Sequence, residues 1–222
     1  MLVIFDCDGV LIDSEAIYCT VDAEALTRLG RPATAADISE RFAGVPHRVA
    51  WATLSAELGV ELPANWVADI LAECDRRMLT GLTAIAGAGA TLTQLREAGH
   101  AVCVASSSGP ETLRTNLERT GLRSLLEPSI FSVTEVKRPK PAPDVFLHAA
   151  AQMGFDPGDC LVVEDSVAGI TATRRAGMAA CGFVGGGHAY GGLSERLVQA
   201  GALVAYASMP EILQFALGRS PA

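Results

Sequence analysis

Apolar and polar positions along the chain follow two different periods. Short apolar runs end abruptly in Asp, Glu, Ser or Gly: LVIF before DCDG, AVCVAS (101–106), CLVVED (160–165), AACGFV (179–184) and ALVAYA (202–207). Runs of this kind predict strands buried on both faces, with polar groups gathered at their carboxyl ends. Between them apolar residues recur at helical spacing, as in Leu113 with Leu117, Phe146 with Ala149, Ala150 and Met153, and Val167 with Ile170. Strands alternating with helices predict βαβ units, and hence an α/β fold with a Rossmann-like doubly wound parallel sheet.

One stretch breaks the alternation. From Ser14 to Leu82 only helical periodicity is present: Ile17, Val21 and Ala25 mark one helix, Trp51, Leu54 and Leu58 another, and Val67, Ile70, Leu71, Cys74 and Met78 a last one. Turns fall at Gly30-Arg31-Pro32, Gly44-Val45-Pro46 and Glu61-Leu62-Pro63. The expected organisation is an α/β core domain over 1–14 and 83–222, with an all-helical cap domain over 15–82 inserted after the first strand. Trp51 and Trp66 are expected to pack inside that cap. GAGATL (87–92) lacks the last glycine of a dinucleotide fingerprint and reads as a helix start.

Composition narrows the partners. A chain of 222 residues, half of them hydrophobic, buries a core of ordinary size. A net charge of −8 opposes sequence-independent nucleic-acid binding, which needs a basic surface. No apolar run approaches the ~20 residues of a membrane span, and MLVIF is too short for a signal peptide, so no membrane association and a cytoplasmic location are expected. A monomer is the expected state. The six cysteines are scattered without a C-x-x-C pair, which reads as reduced buried thiols rather than a zinc site.

Ligands of open parallel sheets bind outside the carboxyl ends of the strands. Those ends here deliver Asp6 and Asp8, then Ser106 to Ser108, then Glu164 and Asp165, with Lys140 placed before the helix that begins near Pro143. Asp-x-Asp-Gly alone would be a polar turn. Joined by Glu164 and Asp165 it becomes four acids in one cleft, which a single lysine cannot neutralise. Unless some of those acids stay protonated, a cation must answer that charge, and ligands that are all oxygens suit a hard divalent ion, Mg²⁺. The set suits phosphoryl transfer: one carboxylate attacks phosphorus, the other moves the proton, and Ser106, Lys140 and backbone amides bind the phosphoryl oxygens.

FDCDGVLIDSE (5–15), VASSS (104–108), KPAPDVF (140–146) and VVEDSVAGI (162–170) resemble, in order and spacing, the four motifs of the haloacid dehalogenase-like hydrolases. DGVLIDSE and KPAPD are similar to the subgroup with a helical cap, which holds β-phosphoglucomutase, phosphoglycolate phosphatase and sugar-phosphate phosphatases. The resemblance implies Asp6 as nucleophile, Asp8 as general acid and base, and Lys140 poised over Asp6. It implies Mg²⁺ held by the Asp6 side chain, the Asp8 backbone carbonyl and Asp165, with Glu164 close by.

Asp8 supplies the proton an alkoxide leaving group needs and a halide does not, so the expected activity is a phosphatase of a small phosphorylated metabolite, a sugar or sugar-acid phosphate. The alternative is a β-phosphoglucomutase-like phosphomutase. Against it, Tyr18 stands where the mutase has a cap histidine, and His47 where it has an arginine for the far phosphate. A non-catalytic phospho-acceptor is a third reading, opposed by the second aspartate and the inserted cap. Gly44, His47 and Arg48 of the GVPHR loop, together with Ser107, are the candidate substrate-binding residues. His188, after GGG (185–187), is expected in a surface loop.

Overall fold

The computed structural model describes residues 1–42, 45 and 47–219. A first strand, β1 (Leu2–Phe5), is followed by four helices: α1 (Ser14–Arg28), α2 (Ala35–Phe42), α3 (His47–Leu58) and α4 (Trp66–Gly81). Strands and helices then alternate through α5 (Ala88–Glu97), β2 (Ala101–Ser106), α6 (Pro110–Arg119), α7 (Arg123–Leu126), β3 (Ile130–Ser132) and α8 (Asp144–Met153). The chain closes with β4 (Cys160–Glu164), α9 (Val167–Arg175), β5 (Ala179–Phe183), α10 (Leu193–Ala200), β6 (Val204–Tyr206) and α11 (Met209–Leu217).

The six strands among the described residues form one parallel sheet in the order β3-β2-β1-β4-β5-β6. The order reverses beside β1, so the ends of β1 and β4 flank the crevice where a doubly wound sheet takes its ligand. β1 is the central strand and all four of its residues are fully buried. Its side chains alternate between faces. Val3 and Phe5 pack with Leu92, Leu95, Leu113, Ile212 and others of α5, α6 and α11. Leu2 and Ile4 pack with Val145, Phe146 and Ala149 of α8 on the opposite face. Each fully buried Leu, Ile or Phe of this kind contributes roughly 1.5–3 kcal/mol.

Helices α1 to α4 have an apolar cluster of their own, in which Val21, Ala25, Trp51, Leu54, Ile70, Cys74 and Met78 are buried. Trp51 is closed off from solvent and meets Trp66 edge-on, with ring centroids 5.4 Å apart. Both tryptophans therefore pack, as expected from their helical positions. β3, α7 and α2 are among the elements that escape the apolar pattern. β3 is only three residues long and α7 only four, too short for either period to register. α2 was not expected as a separate helix, although Ile38 and Ser39 are buried along it. The ALVAYA run forms a strand only over Val204–Tyr206, because Gly201 (φ 116°) ends α10 and the chain is still turning through Ala202.

Candidate active site

Asp6 follows β1 directly, and its amide donates to the Val163 carbonyl at 2.9 Å, so the sheet holds its backbone. The chain then leaves the sheet through a tight turn in which the Leu11 amide donates back to the Cys7 carbonyl at 2.8 Å. Gly9 occupies the left-handed region there (φ 78°), and a β-carbon on it would fall 2.0 Å from Oδ2 of Asp165. Only glycine lets these two strand ends approach so closely.

Asp6 and Asp8 do not share one extended strand, because β1 ends before either of them. The turn sends their carboxylates to different partners. Asp6 Oδ1 accepts from Lys140 Nζ at 2.6 Å. Asp8 instead accepts from three hydroxyls: Ser14 Oγ at 2.6 Å on Oδ1, and Ser108 Oγ at 2.7 Å and Ser106 Oγ at 3.3 Å on Oδ2. Ser106 is fully buried at the end of β2 and also accepts the Ser108 amide at 2.9 Å. Its hydroxyl holds Asp8, while Ser107 and Ser108 face the cavity.

Lys140 reaches a second carboxylate, Glu164 Oε1, at 2.8 Å, and its ammonium lies 4.8 Å from the centre of the Phe146 ring. Glu164 ends β4, and its other oxygen accepts the amide of Ser166, the N-cap of α9, at 2.8 Å. Asp6, Glu164 and Asp165 each offer one oxygen within 4.8 Å of the others, and all three are buried. Among the described residues, this set can hold a metal ion; the Asp8 side chain is outside it.

The electrostatics follow from burial and crowding. Burial pushes the Asp6 carboxyl well above the usual range, Lys140 pulls it partly back, and Glu164, Asp165 and Asp8 push it up again. Asp165 is raised well above the usual range by burial and then by Glu164. Burial would raise Glu164 as well, but Lys140 and the Ser166 amide outweigh it and hold the group below its ordinary value. Lys140 is raised despite its burial, by Asp6 and Glu164. A cluster in which two carboxyls are pushed toward protonation lacks positive charge, and oxygen-only donors fit a hard divalent cation.

A cavity of about 340 Å³ opens over this cluster, between the sheet edge and the four-helix layer. Its far wall is built by Glu15, Tyr18, Asp22, Phe42 and His47. His47 Nδ1 lies 3.2 Å from Asp22 Oδ2, and its ring meets Tyr18 with centroids 4.9 Å apart. Burial lowers the His47 imidazolium, but Asp22 and Glu15 outweigh it and the net shift is upward. Trp51 Nε1 donates to the other Asp22 oxygen at 2.8 Å. Burial, then Asp165 and Asp8, push the Glu15 carboxyl up to about 8, although its side chain still borders the cavity.

The sequence candidates therefore divide. Asp6, Asp8, Ser106, Lys140, Glu164 and Asp165 come together from four separate segments, and Ser107 and His47 line the same cavity. Arg48 is exposed and is not among the cavity-lining residues. Gly44 lies outside the described residues. His188 corrects an expectation: it is not a surface loop residue but is 4% exposed, with Nε2 2.9 Å from Asp165 Oδ2. Burial lowers its imidazolium. Its position depends on a 174-residue separation, Gly187 amide to Asp13 carboxylate (2.8 Å), that no local pattern encodes. Ser14, Glu15 and Asp22 were likewise missed as site residues. The first two sit within a motif segment, but nothing in their spacing states which way they face.

The chain is similar to several known proteins. A family profile described as haloacid dehalogenase-like hydrolase matches residues 1–177. A 6-phosphogluconate phosphatase of Escherichia coli (strain K12) is 31% identical over 177 residues, 79% of each chain. A β-phosphoglucomutase of Bacillus subtilis (strain 168) is 31% identical over 190 residues, 81% of each chain. Among solved structures, a conserved haloacid dehalogenase-like protein of Agrobacterium tumefaciens str. C58 superposes with a TM-score of 0.91 at 36% identity, covering 97% of this chain and 96% of that one.

Proposed function

The chain belongs to the haloacid dehalogenase-like hydrolases, as a phosphoric monoester hydrolase, and we propose that it is a Mg²⁺-dependent phosphatase of a small sugar or sugar-acid phosphate working through an aspartyl-phosphate on Asp6. The observation that carries this reading is the contrast between two aspartates two residues apart. Asp6 is gripped by Lys140 at 2.6 Å beside two further acids, whereas among the described residues the Asp8 carboxylate accepts only from hydroxyls. Environments that separate a pair of carboxyls divide their labour in catalysis.

Asp6 attacks phosphorus, the bond to the alkoxide breaks, and Asp8 gives that alkoxide its proton. Water then attacks the aspartyl-phosphate and Asp8 takes a proton from it, which regenerates Asp6 and releases phosphate. Ser14, Ser106 and Ser108 hold the Asp8 carboxyl in one orientation through both steps. Lys140 orients Asp6 and offsets the charge on the transferring group. Asp6, Asp165 and the Asp8 carbonyl would hold Mg²⁺, with Glu164 beside them, and the ion would supply charge neutralisation on the phosphoryl oxygens.

Hydrolysis is favoured over mutase chemistry by the wall facing the cluster. A mutase must hold a second phosphate there. Among the described residues, the cavity is lined by carboxylates at Asp6, Asp8, Glu15, Asp22, Glu164 and Asp165, while its cationic groups are Lys140, bound to Asp6 and Glu164, and His47, facing Asp22. Among the described residues, no basic group lining the cavity is free for a second phosphate. The test is Mg²⁺-dependent release of phosphate from p-nitrophenyl phosphate and from a panel of sugar, sugar-acid and sugar bisphosphate esters. A wild type without turnover, indistinguishable from Asp6→Asn, would sink the reading.

A further inference from the structure

The segment 185–190 leaves the end of β5 and runs between two bodies, the acidic cluster at the sheet edge and the four-helix layer above it. His188 is inserted at the point where they meet. Its side chain is 1% exposed, and neither ring nitrogen has a hydrogen-bond partner among the described residues. Yet Nε2 stands 2.9 Å from Oδ2 of Asp165, close enough to bond once the ring turns to align its N–H. A buried imidazole with both nitrogens unpaired is costly, so a polar partner at this distance is what its position serves.

The backbone of the same residue is tied to the opposite body. The His188 carbonyl accepts from Ser39 Oγ of α2 at 2.5 Å, and Ser39 is itself buried. Two neighbouring ties reinforce the strap. The Gly187 amide donates to Asp13, just before α1, at 2.8 Å, and Arg196 of α10 donates to the Glu40 carbonyl of α2 at 2.9 Å. One residue thus touches a candidate metal ligand with its side chain and the helical layer with its main chain.

We propose that His188 is a positioning residue: it donates through Nε2 to one oxygen of Asp165, leaving the other oxygen to the metal, and through Ser39 it couples that hold to the seating of the helical layer. The proposal rests on the reading of Asp165 as a metal ligand. Partners that orient a ligating group in this manner typically change metal affinity by 10–100-fold when removed.

The test uses the full chain, stripped of metal, with Mg²⁺ titrated calorimetrically into wild type, His188→Ala, His188→Gln and Ser39→Ala, each checked by thermal melting. His188→Ala is expected to weaken Mg²⁺ binding by about 10–100-fold. His188→Gln, whose amide N–H can reach Asp165, is expected to recover most of that loss. Ser39→Ala is expected to weaken binding by roughly fivefold, the loss of one hydrogen bond in the strap. Wild-type affinity in His188→Ala, or equal losses in the Ala and Gln variants, would overturn the positioning role. Wild-type affinity in Ser39→Ala would overturn the coupling. Should His188→Ala fail to fold, the Gln and Ser39 variants still decide: Gln affinity more than about 10-fold below wild type, or Ser39→Ala unchanged, counts against the proposal. Failure of the phosphatase reading is a separate outcome, seen as intact Mg²⁺ binding without release of phosphate.

Discussion

Lys140 Nζ lies 2.6 Å from Asp6 Oδ1 and 2.8 Å from Glu164 Oε1, so one ammonium bridges the ends of β1 and β4 from a loop that belongs to neither. Its side chain is 6% exposed, which places the bridge out of reach of solvent screening. Removing one partner of a buried ion pair typically costs 3–5 kcal/mol, because the other is left as an uncompensated charge.

Lys140→Met should therefore destabilise the metal-free protein by about 3–5 kcal/mol at neutral pH. Without the lysine, Asp6 and Glu164 hold protons more readily, so the loss should shrink as pH falls. Urea unfolding at two pH values measures both effects. A loss below about 0.5 kcal/mol, the level of an ordinary surface pair, would refute the bridge.

Asp8→Asn keeps one of the two acceptor oxygens that the serine hydroxyls use, turns the other into an amide donor, and removes the proton carrier. Turnover of an alkyl phosphate should fall by about 10²–10⁴-fold. Phosphate esters with better leaving groups, such as p-nitrophenyl phosphate, should lose less in the first step, because they need the proton less. Burst kinetics on the two substrate types separate the effects. Equal losses in the first step on both would exclude Asp8 as the acid.

Glu15 gives a stability prediction with a definite sign. Burial, then Asp165 and Asp8, raise its folded-state value from the ordinary 4.5 to about 8. The folded form binds the proton more tightly, so the stabilisation is fully present below 4.5 and is lost as pH rises to about 8. The metal-free wild type should lose stability across that window, and Glu15→Gln, which carries no titrating proton, should lose less. Melting curves from pH 5 to pH 8 would show it. Parallel curves for the two proteins would rule it out.

Gly169 lies inside α9, where Gly→Ala ordinarily stabilises by about 0.5–1 kcal/mol. Here a β-carbon would fall 1.7 Å from Oε1 of Glu164, the carboxylate that Lys140 holds. Gly169→Ala is thus expected to reverse the helix rule, destabilising the protein and lowering phosphatase activity together. A rise in melting temperature with full activity would show that Glu164 is free to move.

Much of the design is legible locally. The short apolar runs mark β1, β2, β4 and β5 because a strand covered on both faces must be apolar along its length. Polar residues closing those runs identify the reactive edge, because a parallel sheet aligns all its carboxyl ends. What escapes is short or turned by a distant contact: β3, at three residues, and α2, whose buried Ile38 and Ser39 face the rest of the molecule.

The chain by itself determined the fold class and marked the acids that close the apolar runs, since both are written in periodicity and in residues at strand ends, while Lys140, in a loop, is marked only by its motif. Tertiary structure alone decided how those groups are shared. Asp6 goes to Lys140 and Asp8 to the serines because the turn at Gly9 separates two carboxylates that sequence spacing leaves equivalent. His47, at the start of α3, faces Asp22 of α1 at a sequence separation of 25, and His188 is buried against Asp165 at a separation of 23, because the packing of separate elements and loops brings them there. Period reports which face of an element is buried; it carries no record of which distant group meets a side chain.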